Sequence, residues 1–288
     1  MIEKRTLEKA VCLSGVGIHS GKEVTLTLKP SSRGKILFRR LDLGGLEIGV
    51  DPKKVEVKNC MSLVSGACVV QTIEHLMAVL HILGIDSLEI ELDGPEIPVM
   101  DGSAAPLAQA ILSAGLKPLP EKRKIVKILK THTLRENQAS LSFSPDVDFR
   151  ITYLIDFSHP LIQKQEMSLA LTQKAFLDEI APARTFGFLK DVPELQRQGL
   201  ALGGSVENAV VLDDEKVISG PLRYPDEFVR HKILDLIGDL ALFGHPLLGH
   251  FQADRAGHSL HLKAVHFLLR NFDCWSFEEA AFPRYLRA

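Results

Sequence analysis

Three observations on this chain of 288 residues predict an α+β fold. Several segments alternate polar and apolar residues as half-buried strands do, and others carry apolar residues three and four apart as buried helices do. The two kinds do not alternate regularly enough for a doubly wound parallel sheet. In chain order, residues 24–28 (VTLTL) alternate with a period of two and predict the first strand. Ile73, Leu76, Met77, Val79, Leu80 and Leu83 then mark a buried helix, with Thr72 in the position of its cap. Residues 88–92 (LEIEL) alternate again, and Asp101-Gly102-Ser103 opens a helix through Leu107, Ile111 and Leu112 that Gly115 ends. The basic run over residues 121–124 follows Pro118 and Pro120 and predicts a solvated linker. It divides the chain into an N-terminal α+β domain, 1–120, and a C-terminal α+β domain, 121–288. In the second, residues 125–129 and 139–143 predict strands, and Ile233, Leu234, Ile237 and Leu240 give the apolar positions of a helix. A further strand is expected around residues 249–253.

Composition narrows the classes of function. The 34 Lys and Arg nearly balance 36 Asp and Glu, so no net field favours nucleic acid or an acidic membrane surface. With 45% hydrophobic residues the chain can bury a sizeable core, yet no apolar run approaches the ~18 residues of a membrane span. Residues 1–5 carry no apolar signal region behind them, so a cytoplasmic location is expected. Cys12, Cys60, Cys68 and Cys274 show no C-x2-C pairing, which predicts reduced thiols and no structural zinc knuckle. Cys60, in the loop before the first helix, is expected to be a buried or idle thiol, although it could reach a metal at that helix.

His231, Asp235 and Asp239 recur every four residues, so they stack on adjacent turns of one helix stripe. Taken alone, that stripe also fits a capped helix whose His and Asp face water. A second motif lies upstream, where Glu74 and His75 sit in the first turn of an apolar helix that should not carry them without a polar cavity or an open helix start. By itself Glu74 could equally complement the helix dipole. Together, His75, His231 and Asp235 offer two nitrogens and one oxygen to a divalent ion and leave a position for water, as catalytic zinc sites require. Glu74 would stand beside that water as a base. His81, six residues after His75, falls on the opposite side of the helix and reads as a core or partner-facing histidine. His258, after Gly257, is a candidate acid oriented by a carboxylate such as Asp239. In residues 183–188 (ARTFGF) the Thr185 hydroxyl could meet an oxyanion and the rings of Phe186 and Phe188 could cover a ring-bearing ligand. An ordinary strand with two core phenylalanines fits that segment as well.

The segments GVGIHSG from Gly15, TIEHL from Thr72, GPEIPVMDGSAAP from Gly94, ARTFGF from Ala183, GLALGGS from Gly199, LRYPDEFVRHKILDLIGDL from Leu222 and AGHSL from Ala256 run nearly end to end. In them the chain resembles the UDP-3-O-acyl-N-acetylglucosamine deacetylases, the zinc amidases of lipid A biosynthesis. The resemblance implies metal ligands at His75, His231 and Asp235, a general base at Glu74 and a catalytic histidine at His258. It puts Lys232 and Thr185 beside the reacting amide and Asp239 behind His258. Substrate contacts are implied at Asp156, Phe157, Phe186, Phe188 and Asp191, and at Arg255, where some members have Lys. An acyl passage is implied along Leu195, Leu200 and Ala201, with Ser205 close by. The fold implied is two similar domains, each a sheet with helices packed between the domains and the active site at their junction. Each carries an insert: a small extra sheet in the first, and a β-α-β unit over roughly 189–217 in the second. After Val265 no motif of the tail matches.

The expected reaction follows from the stability of an amide. Zn²⁺, or alternatively Fe²⁺, would acidify a water, Glu74 would take its proton, and Thr185 would help hold the oxyanion. Protonated His258, or Glu74 itself, would then give a proton to the leaving nitrogen. The expected partner is the acylated UDP-sugar substrate alone, with no nucleic acid and no membrane insertion, and the chain is expected to be a monomer. Two other classes share parts of this pattern. A different zinc hydrolase would keep the metal trio without needing Phe186 and Phe188, and a metal-dependent assembly protein would have no use for Glu74.

Overall fold

A computed structural model describes residues 3–278 and 283–286. It is an α+β protein with its helices largely gathered between sheets. A five-stranded sheet runs in the order Val11–Val16, Glu23–Pro30, Leu88–Leu92, Ile36–Arg40, Leu46–Gly49, with only the pairing of Leu88–Leu92 and Ile36–Arg40 parallel. In its central strand Leu88, Ile90 and Leu92 are buried, while Glu89 and Glu91 pair with Arg39 and Lys29 of the neighbouring strands. Such opposite-charge pairs across a pleat are the expected outer face of a one-sided sheet. Beside it lies a three-stranded sheet of Val55–Val57, Met61–Ser65 and Cys68–Val70.

The larger, seven-stranded sheet centres on Leu247–Asp254, which pairs antiparallel with Ala139–Ser144 and parallel with both Ile125–Ile128 and Phe149–Phe157. The C-terminal strand Trp275–Glu278 closes one end by pairing antiparallel with Ile125–Ile128. That pairing gives the unmatched tail a place in the fold, and Tyr285 farther on is wholly buried, its hydroxyl accepting from the Leu247 N–H at 3.0 Å.

Among the described residues six α-helices follow in chain order: α1 (Glu74–Leu83), α2 (Ala105–Ala114), the single turn α3 (Gln173–Ala175) with its π-helical continuation Phe176–Ile180, α4 (Val192–Arg197), α5 (Glu227–Ala241) and α6 (His258–Arg270). All ten residues of α1 are buried, as a helix covered on every side requires, and α1 packs on α5 across one continuous apolar core. The crossing is close because Gly238 of α5 lies against the α1 backbone: a Cβ there would meet the Glu74 carbonyl oxygen at 2.0 Å. Gly238→Ala must push backbone apart rather than rotate a side chain, so it is expected to cost about 1–3 kcal/mol or more. Gly257→Ala, where a Cβ has nothing within 4 Å, is the control in thermal denaturation.

Two expectations change. Thr72 does not cap α1. It sits at φ 57° and its hydroxyl donates to Glu96 at 2.7 Å, while the residue at the cap position, Ile73, makes no side-chain bond. The predicted linker is half strand: Leu116–Lys122 takes in residues 121 and 122 and pairs antiparallel with Glu3–Leu7, and Arg123 is buried against Asp86 with its Nε 2.8 Å from Oδ1. The expected elements at 24–28, 88–92, 125–129, 139–143 and 249–253 and all three predicted helices are present, though Leu112 of α2 is exposed, and His81 is a core residue stacked on Tyr285. None of the described helices is long and apolar enough to cross a membrane.

Candidate active site

His75 enters from the first turn of α1, and His231 and Asp235 from successive turns of α5. The Gly238 contact brings these two helices together, so the three side chains meet: Asp235 Oδ1 lies 3.7 Å from His75 Nε2 and 3.5 Å from His231 Nε2. The two imidazoles stand edge to face with centroids 5.0 Å apart. Ligands held tetrahedrally at about 2.0–2.2 Å from one ion are themselves about 3.3–3.6 Å apart, so this spacing suits a shared divalent ion. The tautomer suits it too. His231 Nδ1 lies 3.1 Å from the Ala183 carbonyl, which must accept, leaving the Nε2 lone pair directed at the other ligands. Burial, helped by His75 and Lys232 and opposed by Asp235, pushes the His231 pKa down to about 4 and keeps the ring neutral. The Ala183 carbonyl is held in place by the next residue, since Arg184 gives its N–H and Nε–H to the wholly buried Glu227 at 3.0 and 2.8 Å, just where α5 begins.

Around this trio lie charged groups whose proton affinities are shifted by burial and by one another. Glu74 is buried, and its Oε2 accepts from the Met61 N–H at 3.2 Å. Burial raises its pKa to about 7 despite the opposing charges of His258 and His75. Asp235 behaves oppositely: burial works against its charge, yet Lys232, His231 and His258 hold it well below the usual carboxylate range. Lys232 Nζ donates to Asp235 Oδ2 at 2.7 Å. His258, the first residue of α6, has its Nδ1 2.6 Å from Asp239 Oδ2 and its Nε2 3.9 Å from Asp235 Oδ2. Burial alone would lower its pKa, but Asp239, Asp235 and Glu74 together raise it to about 9. Two carboxyl-imidazole pairs in one cleft thus have their proton affinities pushed toward opposite tasks. Cys60 is buried, its thiol pushed up to about 12 by burial and Glu74.

Glu74, His75, His231, Lys232, Asp235 and His258 line one end of a cavity of about 580 Å³. Thr185, Phe157, Phe186 and Phe188 form its waist, with Phe186 edge-on to Phe157 at 5.7 Å. The far end is lined by Asp191, Leu195, Ala201 and Ser205, with Leu189, Val192, Val206 and Val211 around them. This end is the β-α-β insert: Phe186–Phe188 and Val210–Leu212 pair in parallel, with α4 between them in sequence. Asp239 lies behind His258, outside the lining. So do three other expected contacts. Asp156 projects outward from the end of its strand and is exposed, Arg255 pairs with Asp254 at 2.8 Å, and Leu200 is buried.

Several lining residues went unremarked in the sequence. Ile18 and His19 belong to a loop held by the wholly buried Glu96, which accepts from the N–H groups of His19 and Ser20 at 3.0 and 2.8 Å as well as from Thr72. Asn59 also lines the cavity. His261 does not, but its Nδ1 lies 2.8 Å from Asp239 Oδ2. The H-x2-H spacing of His258 and His261 at a helix start was the available signal.

Residues 4–270 match the family model described as UDP-3-O-acyl N-acetylglycosamine deacetylase. Proteins named UDP-3-O-acyl-N-acetylglucosamine deacetylase are similar over almost their whole length. The one from Myxococcus xanthus (strain DK1622) is 46% identical over 94% of this chain and 88% of its own. Those from Geotalea uraniireducens (strain Rf4) and Thermodesulfovibrio yellowstonii (strain ATCC 51303 / DSM 11347 / YP87) are each 42% identical over 98% of this chain, covering 94% and 96% of their own lengths. With a family match over residues 4–270 and relatives this similar over nearly their whole length, the chain belongs to the UDP-3-O-acyl N-acetylglycosamine deacetylase family.

Proposed function

We propose that this chain hydrolyses the N-acetyl group of UDP-3-O-(3-hydroxyacyl)-N-acetylglucosamine in lipid A biosynthesis, the committed step, giving acetate and UDP-3-O-acyl-glucosamine. One observation carries this reading: a buried base, a three-ligand cluster and a cationic imidazole share one cavity whose remaining lining is mostly apolar and aromatic. A generic amidase would need only the polar groups.

His75, His231 and Asp235 are the residues that would hold the ion, which we take to be Zn²⁺, with Fe²⁺ fitting the same donors. When bound, such an ion lowers the pKa of a water to about 7 and polarises a carbonyl oxygen. Glu74 accepts the proton of the attacking water, for which its raised pKa makes it basic enough. The Thr185 hydroxyl and the Lys232 ammonium are the donors available to the oxygen that becomes negative as the amide carbon turns tetrahedral. Lys232 is already tied to Asp235, so its charge is fixed rather than mobile. Protonated His258 then gives its Nε2 proton to the glucosamine nitrogen as the C–N bond breaks, and Asp239 stabilises the cation until that moment. Phe157, Phe186 and Phe188 suit the sugar and nucleotide side, with Asp191 beyond them, and Leu195, Ala201 and Ser205 suit the 3-O-acyl chain. Asp156 and Arg255, close to each other outside the cavity, are suited to the exposed UDP end. Leu200 supports the passage from behind. In this reading residues 1–120 and 121–288 are the two domains, the first bringing Glu74 and His75 and the second the remaining groups.

The pH dependence has a definite sign. Glu74 must lose its proton to act, so kcat/KM rises with pH through the acidic limb, and His258 must keep its proton, so kcat/KM falls through the alkaline limb. In the chain alone these groups titrate at about 7 and about 9. A bell is therefore expected, with limbs that belong to the coupled cluster. His258→Gln should flatten the alkaline limb; an unchanged limb in a folded variant assigns it to another group. The reading itself is tested by mass spectrometry of purified protein with the acylated UDP-sugar. Loss of one acetyl group that stops with chelator and returns with added ion is expected, and an intact substrate sinks it.

A further inference from the structure

Asp239 is wholly buried and turns a single oxygen, Oδ2, toward two imidazoles, His258 Nδ1 at 2.6 Å and His261 Nδ1 at 2.8 Å; Oδ1 has no hydrogen-bond partner among the described residues. His261 is also wholly buried, and its Nε2 lies 3.1 Å from the hydroxyl of Tyr153, a third residue with no exposure. The Tyr153 hydroxyl donates to the Ala256 carbonyl at 2.7 Å. Ala256 sits two residues before His258, in the turn that opens α6. The contacts therefore close a loop: from the backbone ahead of His258, through Tyr153, His261 and Asp239, and back to the His258 ring.

The proton count of this loop is informative. Burial keeps the His261 pKa below its ordinary value, so the ring is neutral and has one N–H. The carboxylate can only accept, so that proton sits on Nδ1 and points at Asp239. Nε2 is left as an acceptor facing the phenol, whose single proton, held in place by burial, is shared between this nitrogen and the nearer Ala256 carbonyl. A carboxylate with one donor can still turn about its last torsion. A second donor on the same oxygen, arriving from a different direction, fixes its plane. Groups of this kind behind an imidazole set its tautomer and orientation and cost about 10–100-fold when removed.

We propose that His261, steadied by Tyr153, is a positioning residue for the deacetylation: it locks the Asp239 carboxylate so that His258 presents its Nε2 to the cavity. This rests on the function proposed above. Neither His261 nor Tyr153 lines the cavity, so any effect on turnover must pass through Asp239 and His258.

The test is a set of variants in the full-length, metal-loaded protein, with kcat, KM and metal content measured for each. His261→Leu is expected to lower kcat by about 10–100-fold with KM and metal content unchanged. His261→Asn, whose amide N–H can still reach Asp239, should recover most of that loss, and Tyr153→Phe should lose less than His261→Leu. The deciding measurement is the pair of variants His258→Gln and His258→Gln/His261→Leu. Once the positioned ring is gone, removing its positioner should cost nothing further. Should His261→Leu fail to fold, Tyr153→Phe in the presence and absence of His258→Gln carries the same comparison. Additive losses in the double variant, a wild-type kcat in His261→Leu, or a loss of metal there each overturn the proposal. A wild-type protein that releases no acetate overturns the functional reading instead, and this one with it.

Discussion

Glu74→Gln is expected to keep its metal and lose turnover by on the order of a hundredfold or more, whereas His231→Ala and Asp235→Ala are expected to lose metal and activity together. The difference lies in what each side chain touches. Glu74 makes one hydrogen bond, from the Met61 N–H, which a glutamine oxygen can also accept, so the fold and the ligand cluster should survive the change. What glutamine cannot do is take a proton. Asp235 by contrast is within reach of both His75 and His231 and holds Lys232, so its loss leaves a half-buried ammonium without its partner and the cluster without its oxygen. Metal analysis beside acetate-release rates separates the cases. A Glu74→Gln protein near wild-type activity would show that another group is the base.

Shortening the acyl chain is expected to cost nearly as much as disabling the base. The cavity continues past Phe186 and Phe188 into the apolar space around Leu195 and Ala201. Each methylene buried there contributes ~0.8 kcal/mol at most, so removing six lowers kcat/KM by up to ~10³-fold while the amide chemistry is untouched. Ala201 stands in the left-handed region at φ 53°, and its side chain faces this space. Ala201→Phe should therefore obstruct long chains more than short ones. Equal kcat/KM for the acylated substrate and for plain UDP-N-acetylglucosamine would remove the passage from the account.

What could be read in the sequence follows from the periods that physics imposes. A four-residue repeat on an apolar helix puts His231, Asp235 and Asp239 on one stripe wherever the helix lies, and alternation betrays residues 24–28 and 88–92 as strands. Misreadings arise where a local rule yields to its neighbours. Pro118 and Pro120 suggested a linker, but a strand with a single partner tolerates proline because some of its N–H groups need no ladder bond. Thr72 has the chemistry of a cap, yet a buried carboxylate at Glu96 takes its hydroxyl. Asp156 is the alternate, outward residue of its strand, one step from the buried Ile155, which keeps it out of the cavity. His261 was concealed by its neighbours Leu260 and Leu262, since the H-x2-H spacing alone does not say whether the second histidine faces a carboxylate or fills a core. Which helices approach closely enough to share a ligand set depended on Gly238, whose role shows only when α1 lies against it.

The close crossing of α1 and α5 also has a thermodynamic side. The ion's prospective ligands come from helices far apart in the chain, and an unfolded chain holds no preformed cluster, so free energy of ion binding is added to free energy of folding. At a free ion concentration a hundred times Kd the gain is about 2.7 kcal/mol, a large share of the ~5–15 kcal/mol that separates a native protein from its unfolded state. The melting temperature of this protein is then set by its surroundings as well as by its residues.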